Sequence, residues 1–469
     1  MNRRYALATA GSRRFAVQAP AGPALGHLGE DLIGLGANLR SPELWLSCAA
    51  FLGMLFGPQI GNKGPMILLA VSGVLLLRNS ASMIEGLRDH WKMLIFPLYC
   101  LMTVFWSYAP GSTLRAGVEL LITFPIALQL AQERRRGSIV TGIFLAFMLY
   151  DVVSLVFGHR VTVGNYGVKA FSGLNGGKNL QADTATLGLM AAIAFGLDTN
   201  PFRKPLSAML IAFAGLLHMY LIIQAKSGGA FAGLALGAGV IITFSMLRKA
   251  TPSTRLLALL MFVFFGAIIS AYQEQITQAL LTLLGKDQTL TGRSYLWYRA
   301  QGIIVEHPIE GHGYNAFWLK GNSDAEGLWR WGGITSRTGF NFHNSYYETM
   351  VALGAIGFFI LVVTVIGYGV RVTKEYVRAA DVTLCFWLGV LAYELFRTPF
   401  ESIAPPGPLQ PTIILLVAAM TARGPASQSM MAMAPEALGA SRQAQRSRLH
   451  WRTARVRAGA LPHPQTPGP

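Results

Sequence analysis

The chain has 469 residues, is 52% hydrophobic and only 13% charged, whereas a soluble globular chain carries about 25% charged residues. Its formal charge of +17 would suit a nucleic-acid binder. The excess lies in the two tails and in alternate short loops, however, as in the cytoplasmic segments of a membrane protein, and this argues against nucleic acid.

The first forty or so residues are basic and rich in Ala, Gly and Pro, without the apolar core of a cleavable leader. The first span is therefore expected to stay as an anchor. A run of about 20 apolar residues can cross the hydrocarbon core as a helix. Such spans are predicted at 43–60, 64–78, 92–107, 114–132, 138–157, 183–197, 206–224, 229–247, 255–272, 345–370, 382–397 and 408–422. The spans at 64–78, 92–107 and 183–197 are short enough to suggest tilt or re-entry. The fold class expected is an all-α polytopic integral membrane protein of about twelve helices. A basic cytoplasmic tail (1–42) precedes a transmembrane domain (43–423), and a second basic tail (424–469) reads as disordered. Cys48, Cys100 and Cys385 fall inside the apolar spans without thiol-pair or metal-ligand spacing, and read as small buried hydrophobes.

Loops on the N-terminal side hold Arg3, Arg4, Arg13, Arg14, Arg40, Arg78, Arg88, Arg134–Arg136, Arg203, Lys204, Arg248, Lys249, Arg371, Lys374 and Arg378. The short loops of the other set hold Lys63, Arg115, Lys226 and few more. Both termini are thus expected in the cytoplasm, which requires an even number of spans. Two long segments, 158–182 and 273–344, then face outward, the second partly helical near 292–305.

Ionisable groups within spans are costly and usually functional. Glu119, Asp151, Asp183, Lys226, Glu348, Glu394 and Arg397 all fall near the outer ends of their spans, which suggests a polar cavity open to the outside. The plainer alternative is pairing along one helix, since Arg115 and Glu119 are four apart and Glu394 and Arg397 three apart. His343-Asn344-Ser345-Tyr-Tyr-Glu348 contains a capping-box pattern, Ser345-x-x-Glu348. A helix beginning there would offer first-turn N–H groups to an anion and would disfavour an imidazolium, leaving His343 able to take a proton. The alternative is an interfacial histidine beside a glutamate cap. Lys178, Lys226, Arg293 and Arg299 supply cations suited to a phosphate or diphosphate, although each alone reads as a snorkelling interface residue. Trp318, Trp329 and Trp331 fit sugar stacking and an interfacial aromatic belt equally well. Gly311-His-Gly-Tyr-Asn-Ala316 mimics a dinucleotide fingerprint, but no strand precedes it, so its glycines are expected to form a tight turn after Pro308. No metal-ligand spacing or Ser-His-Asp pattern stands out.

Several of these stretches resemble the O-antigen ligase and O-antigen polymerase (Wzy-like) superfamily of bacterial membrane glycosyltransferases, most of all exopolysaccharide repeat-unit polymerases of the ExoQ type. They are Gly292-Arg293-Ser-Tyr-Leu-Trp297; His307-Pro308 through Gly311-His-Gly313 to Phe317; His343-Asn344 followed after nine residues by Gly354-x-x-Gly357; and Glu401-Ser402. The resemblance covers about 170–405 and is strongest over 292–357. It implies an undecaprenyl-diphosphate-linked glycan as donor, and as acceptor either a second lipid-linked repeat unit or lipid A-core. It also implies work at the periplasmic face without metal, nucleotide or other cofactor, alongside a flippase and a chain-length regulator. His343, Arg293 and Lys226 would be catalytic, with Arg299, Lys178, Asn344, Glu348 and Glu401 binding substrate; Glu348 or Glu401 is an alternative base. The chain departs from the family twice. Lys226 stands where Ser-Arg is usual after the span, keeping charge but losing bidentate geometry. Gly177-Lys178-Asn179 replaces His-Lys-Asn. The rival expectations are a ligase of the same superfamily and, from another class, a polysaccharide transporter, although no inverted repeat is visible.

Overall fold

A computed structural model describes residues 41–61, 63–78, 80–131, 136–163, 167–199, 205–272, 292–337, 340–405 and 410–421. The expected tails, and the part of the outward segment before residue 292, lie outside the described residues.

One-turn segments aside, the elements in chain order are α1 (Pro42–Leu55), α2 (Lys63–Arg78), α3 (Ser80–His90), α4 (Ile95–Met102), α5 (Pro110–Ala131) and α6 (Arg136–Phe157). A hairpin of β1 (His159–Val163) and β2 (Val168–Gly173) follows. Next come α7 (Lys178–Thr199), α8 (Pro205–Ala225), α9 (Gly228–Met246), α10 (Pro252–Ala271), α11 (Arg293–Glu306) and α12 (Ser323–Trp331). The last three are α13 (Ser345–Arg378), α14 (Val382–Arg397) and α15 (Gln410–Thr421).

The protein is mostly helical and membrane-integral. Among the described residues six helices are long and apolar enough to cross a membrane: α5, α6, α7, α8, α9 and α13. Three shorter apolar stretches, Leu44–Leu55, Met66–Arg78 and Pro252–Ile268, accompany them. The span expected at 92–107 is broken, with α4 flanked by two short 3-10 segments. That expected at 183–197 lies within the 22 residues of α7, the most enclosed of the six.

The core is built by α9 on α14, α7 on α8, and α1 on α6. α9 and α14 approach closely because glycines meet at their crossing: a Cβ on Gly389 would lie 2.7 Å from the Gly237 carbonyl oxygen. Small residues of this kind let backbones pack where lipid offers no hydrophobic drive. Cys48, Cys100 and Cys385 are buried and free. An antiparallel hairpin pairing Val161 with Ala170 occupies part of the 158–182 segment, a small β element in a chain expected to be all helical.

The feature that shapes the first part of α13 is a break within it. Gly354 has φ 62° and ψ −169° inside the helix, a conformation essentially reserved for glycine. The break frees backbone groups, and the Pro308–Gly313 loop takes them up. His312 and Gly313 N–H donate to the Val351 and Ala352 carbonyls, while Ala355 and Ile356 N–H donate to the Pro308 and Ile309 carbonyls. These four bonds pair backbone groups that the break would otherwise leave without helical partners, the condition for irregular backbone in a membrane. A Cβ on Gly354 would lie 2.3 Å from the Ile309 oxygen, and one on Gly311 would lie 2.5 Å from the Gly354 nitrogen. The expected turn after Pro308 is therefore a plug in a kinked helix. Gly357, one turn on, packs against Tyr99 of α4, whose hydroxyl donates to the Leu353 carbonyl at 3.1 Å.

Candidate active site

The helix expected beside His343 is present, but its cap differs from the expected capping box. Asn344, not Ser345, is the N-cap: its Oδ1 accepts from Tyr346 and Tyr347 N–H at 2.9 and 3.2 Å. Ser345 lies inside the first turn, where its hydroxyl donates to the Glu401 carbonyl at 2.7 Å and accepts from the Ile403 and Ala404 amides. Both residue types cap well, and the one nearer the turn prevails. The first-turn amides are all used, Ser345 N–H by the Thr398 carbonyl and Glu348 N–H by that of Asn344. The expected anion site on this helix N-terminus is therefore not formed. Asn344 also donates to the Pro399 carbonyl at 3.2 Å, so its amide binds the 398–403 turn rather than a substrate.

Glu348 is likewise occupied. Its carboxylate accepts from Trp318 Nε1 at 2.6 Å, Phe342 N–H at 2.9 Å and Ser402 Oγ at 3.3 Å. It thus ties the 318–342 stretch to α13 and does not face an open site as the expected substrate ligand or base would.

His343 sits where three elements meet. Its φ of 50° turns the chain sharply before α13, and its N–H donates to Asn341 Oδ1 at 2.8 Å. Imidazole Nδ1 faces Glu401 Oε2 at 3.7 Å, beyond hydrogen-bond range, and this buried nitrogen has no other partner. The other Glu401 oxygen accepts from Asn179 Nδ2 at 2.9 Å and meets Arg293 Nη2 at 3.4 Å. Burial alone would raise the Glu401 carboxyl, but His343, Arg293 and Arg397 outweigh it and hold the group below the ordinary glutamate value. A charged carboxylate thus joins α11 through Arg293, α7 through Asn179, and the start of α13 through His343.

Arg293 is placed by its motif. Gly292 starts α11 at φ 83°, and a Cβ there would lie 2.6 Å from the Trp331 ring. Arg293 follows as the first helical residue. One turn on, Trp297 Nε1 donates to the Phe342 carbonyl at 2.9 Å, next to His343. The Gly-Arg…Trp pattern therefore fixes one end of α11 and the histidine segment together. Arg299 is not brought in: it pairs with Asp324 at 3.0 Å, with 43% of its side chain exposed.

Lys178 and Lys226 form the other margin. Lys178, the first residue of α7, donates from Nζ to the Lys226 carbonyl at 3.3 Å, and Lys226 turns between α8 and α9 with φ 52°. The neighbouring Asn179 is the residue that reaches Glu401. Arg160 of β1 donates to Gln224 Oε1 at 2.9 Å, two residues before Lys226. Sequence reading passes over this cation, although a basic residue in a long outward segment is a usable signal.

Beneath this cluster lies a tighter one. Arg397 Nη1 donates to Asp183 Oδ1 at 2.6 Å and to Glu394 Oε2 at 2.9 Å, and Tyr393 donates to Asp183 at 2.8 Å. All four are buried. Asp151 belongs to a third group: it holds His218 Nδ1 at 2.7 Å and accepts from Gln181 at 2.8 Å. Glu119 pairs with Arg115 on an exposed helix face. The seven ionisable groups thus do not share one cavity, as clustering at span ends suggests; they divide among separate networks. Among the aromatics, Trp329 is buried and Trp318 partly so, while Trp331 is 45% exposed and packs on Tyr295. Among the described residues no three His, Cys, Asp or Glu side chains gather to hold a metal ion.

The arrangement offers a histidine, a charged carboxylate partner and cations beside it, suited to accepting a proton next to an anionic leaving group. The family model described as O-Antigen ligase (Wzy_C) matches residues 208–362, which include Lys226, Arg293, His343 and the Gly354 break. The chain is also similar to the exopolysaccharide production protein ExoQ of Rhizobium meliloti (strain 1021). The two are 28% identical over 341 residues, 72% of this chain and 77% of that protein. The motif residues, the match over 208–362 and this similarity together support a kinship with the O-antigen ligase/polymerase family, ExoQ included.

Proposed function

We propose that the protein polymerises undecaprenyl-diphosphate-linked repeat units of an exopolysaccharide at the periplasmic face of the bacterial inner membrane. The observation that carries this reading is the meeting of Arg293 and His343 on one carboxylate, Glu401, which Asn179 links to the Lys178–Lys226 margin. The acceptor hydroxyl gives its proton to His343, an effect typically worth about 10²–10⁴-fold. As the acceptor oxygen bonds to the anomeric carbon, the bond to phosphate breaks and its electron pair leaves on the diphosphate. Arg293, Lys226 and Lys178 neutralise that charge as it develops. The reaction needs no metal or nucleotide, because the diphosphate is already a good leaving group once neutralised.

The topology that goes with this reading has twelve spans, with the three shorter apolar helices, the broken span around α4, and α14 and α15 completing the set, and both termini in the cytoplasm. The Lys and Arg distribution supports it. A flippase delivers the substrates and a chain-length regulator acts on the product.

A ligase transferring finished glycan to lipid A-core is the second reading, favoured by the match to the O-Antigen ligase family. A strain lacking the gene decides between them. Loss of long chains marks a polymerase; accumulation of lipid-linked polymer of normal length marks a ligase. Complementation with His343→Ala should leave chains at one repeat unit with the protein still in the membrane. Normal-length polymer from that variant would remove His343 from the mechanism.

A further inference from the structure

Resting on the glycosyl-transfer reading, we propose that Glu401 is a positioning residue that hands over from Arg293 to His343 when the donor diphosphate binds. The base is thereby armed only in the donor complex.

Three observations lead there. Both of the carboxylate's functional contacts are long: 3.4 Å to Arg293 and 3.7 Å to His343. The inner imidazole nitrogen is buried without a hydrogen-bond partner and is aimed at the oxygen of Glu401 that Arg293 does not contact. The backbone of Glu401 is fixed, its N–H donating to the Arg397 carbonyl and its own carbonyl accepting from Ser345. Small rotations of the side chain are therefore the available motion, and about 1 Å of movement converts the 3.7 Å contact into a hydrogen bond of ordinary length.

The groups facing Glu401 are Arg293 from α11, Arg397 and Asp183 from α14 and α7, and His343 ahead of α13. Glu348 stands behind Ser402, which donates to it. Arg397 is engaged by Asp183 and Glu394, so Arg293 is the cation a phosphate can draw away. When it does, Glu401 loses one partner and turns to the donor its other oxygen already faces. A bond from Nδ1–H to the carboxylate fixes the tautomer that leaves Nε2 free to take the acceptor proton, and stabilises the imidazolium that results.

The test uses the full-length protein in lipid nanodiscs. Undecaprenyl diphosphate serves as the binding probe, and lipid-linked repeat units from a strain lacking the gene serve as substrate. Glu401→Gln keeps an acceptor for Asn179 but removes the charge. It should bind undecaprenyl diphosphate several-fold tighter, because Arg293 is no longer shared. Turnover should fall about 10- to 100-fold, the loss seen when a metal-bound histidine loses the partner of its second nitrogen. Unchanged turnover, or weaker diphosphate binding together with lower turnover, would overturn the handover. Wild-type protein with isotope-labelled imidazole nitrogens gives an answer independent of any variant's folding: the probe should fix His343 as the Nδ1–H tautomer, and an unaltered spectrum contradicts the proposal. His343→Ala in the same assay separates the two levels. If it turns over normally, the site reading itself fails; if it is inactive while Glu401→Gln is normal, only the handover fails.

Discussion

Two polar regions lie one above the other at the ends of α7 and α14, and they differ in how well their groups are satisfied. In the lower one Asp183, Tyr393, Glu394 and Arg397 are buried and joined by bonds of 2.6 to 2.9 Å. In the upper one Glu401 meets Arg293 and His343 at 3.4 and 3.7 Å, with about a fifth of the carboxylate and arginine side chains exposed. Closed, short contacts hold helices together; loose ones leave cations and a base free to engage a ligand. The charges most conspicuous in the sequence, those inside apolar spans, belong mainly to the first kind.

Breaking the lower region should cost the protein itself. Asp183→Ala leaves Arg397 with Glu394 alone and takes the acceptor from buried Tyr393, and removing one partner of a buried pair costs roughly 3–5 kcal/mol. The expected result is little protein in the membrane and early unfolding in detergent. Breaking the upper region should cost activity alone. Arg293→Ala should lower polymer formation about 10²–10³-fold, the loss typical of one donor to a developing oxyanion, with normal membrane levels. Should both variants fail in the same manner, the division between the regions is wrong. Gly354→Ala tests the plug in α13: the new methyl meets the Ile309 carbonyl and demands a backbone conformation alanine avoids, costing roughly 1–3 kcal/mol. Thermal unfolding should shift down and activity should fall with it. The smallest effect is expected of Arg299→Ala. Its partly exposed pair with Asp324 is worth about 0–1 kcal/mol, so chain length should stay near wild type, and a large loss would return Arg299 to the site.

Acidity sharpens the same contrast. The Glu401 carboxyl is held below its ordinary value. Its contribution to stability is thus present above the unfolded glutamate pKa and fades only as pH falls through the lower folded value. Loss of activity on mild acidification, above that window, would therefore report a group other than Glu401.

Much of the site is legible in the sequence because its motifs are short and local. Gly292-Arg293…Trp297 and His343-Asn344…Gly354 each name residues the structure brings to one place. What joins them is not local. Asn179 reaches Glu401 across 222 residues, and no spacing announces such a contact. Gly354 reads as one more small residue in a continuous apolar run, so its break in α13, and the loop that plugs it, stay hidden. The hairpin after α6 carries alternating Arg160-Val161-Thr162-Val163, a strand signal too short to stand out among long helical runs. The cap slips by one residue because Asn344 and Ser345 are both good caps. Span-end charges mislead for a different reason: sequence position fixes depth but not the face of the helix, so Glu119, Asp151 and Asp183 look alike and end in three networks.

The most direct measurement compares purified wild type with His343→Ala and with Asp183→Ala, using lipid-linked repeat units in reconstituted membranes and monitoring glycan length. The account predicts stepwise elongation by wild type. It predicts no elongation by a His343→Ala protein that unfolds at the wild-type temperature, and a protein too unstable to assay for Asp183→Ala. Elongation by His343→Ala at the wild-type rate would contradict it.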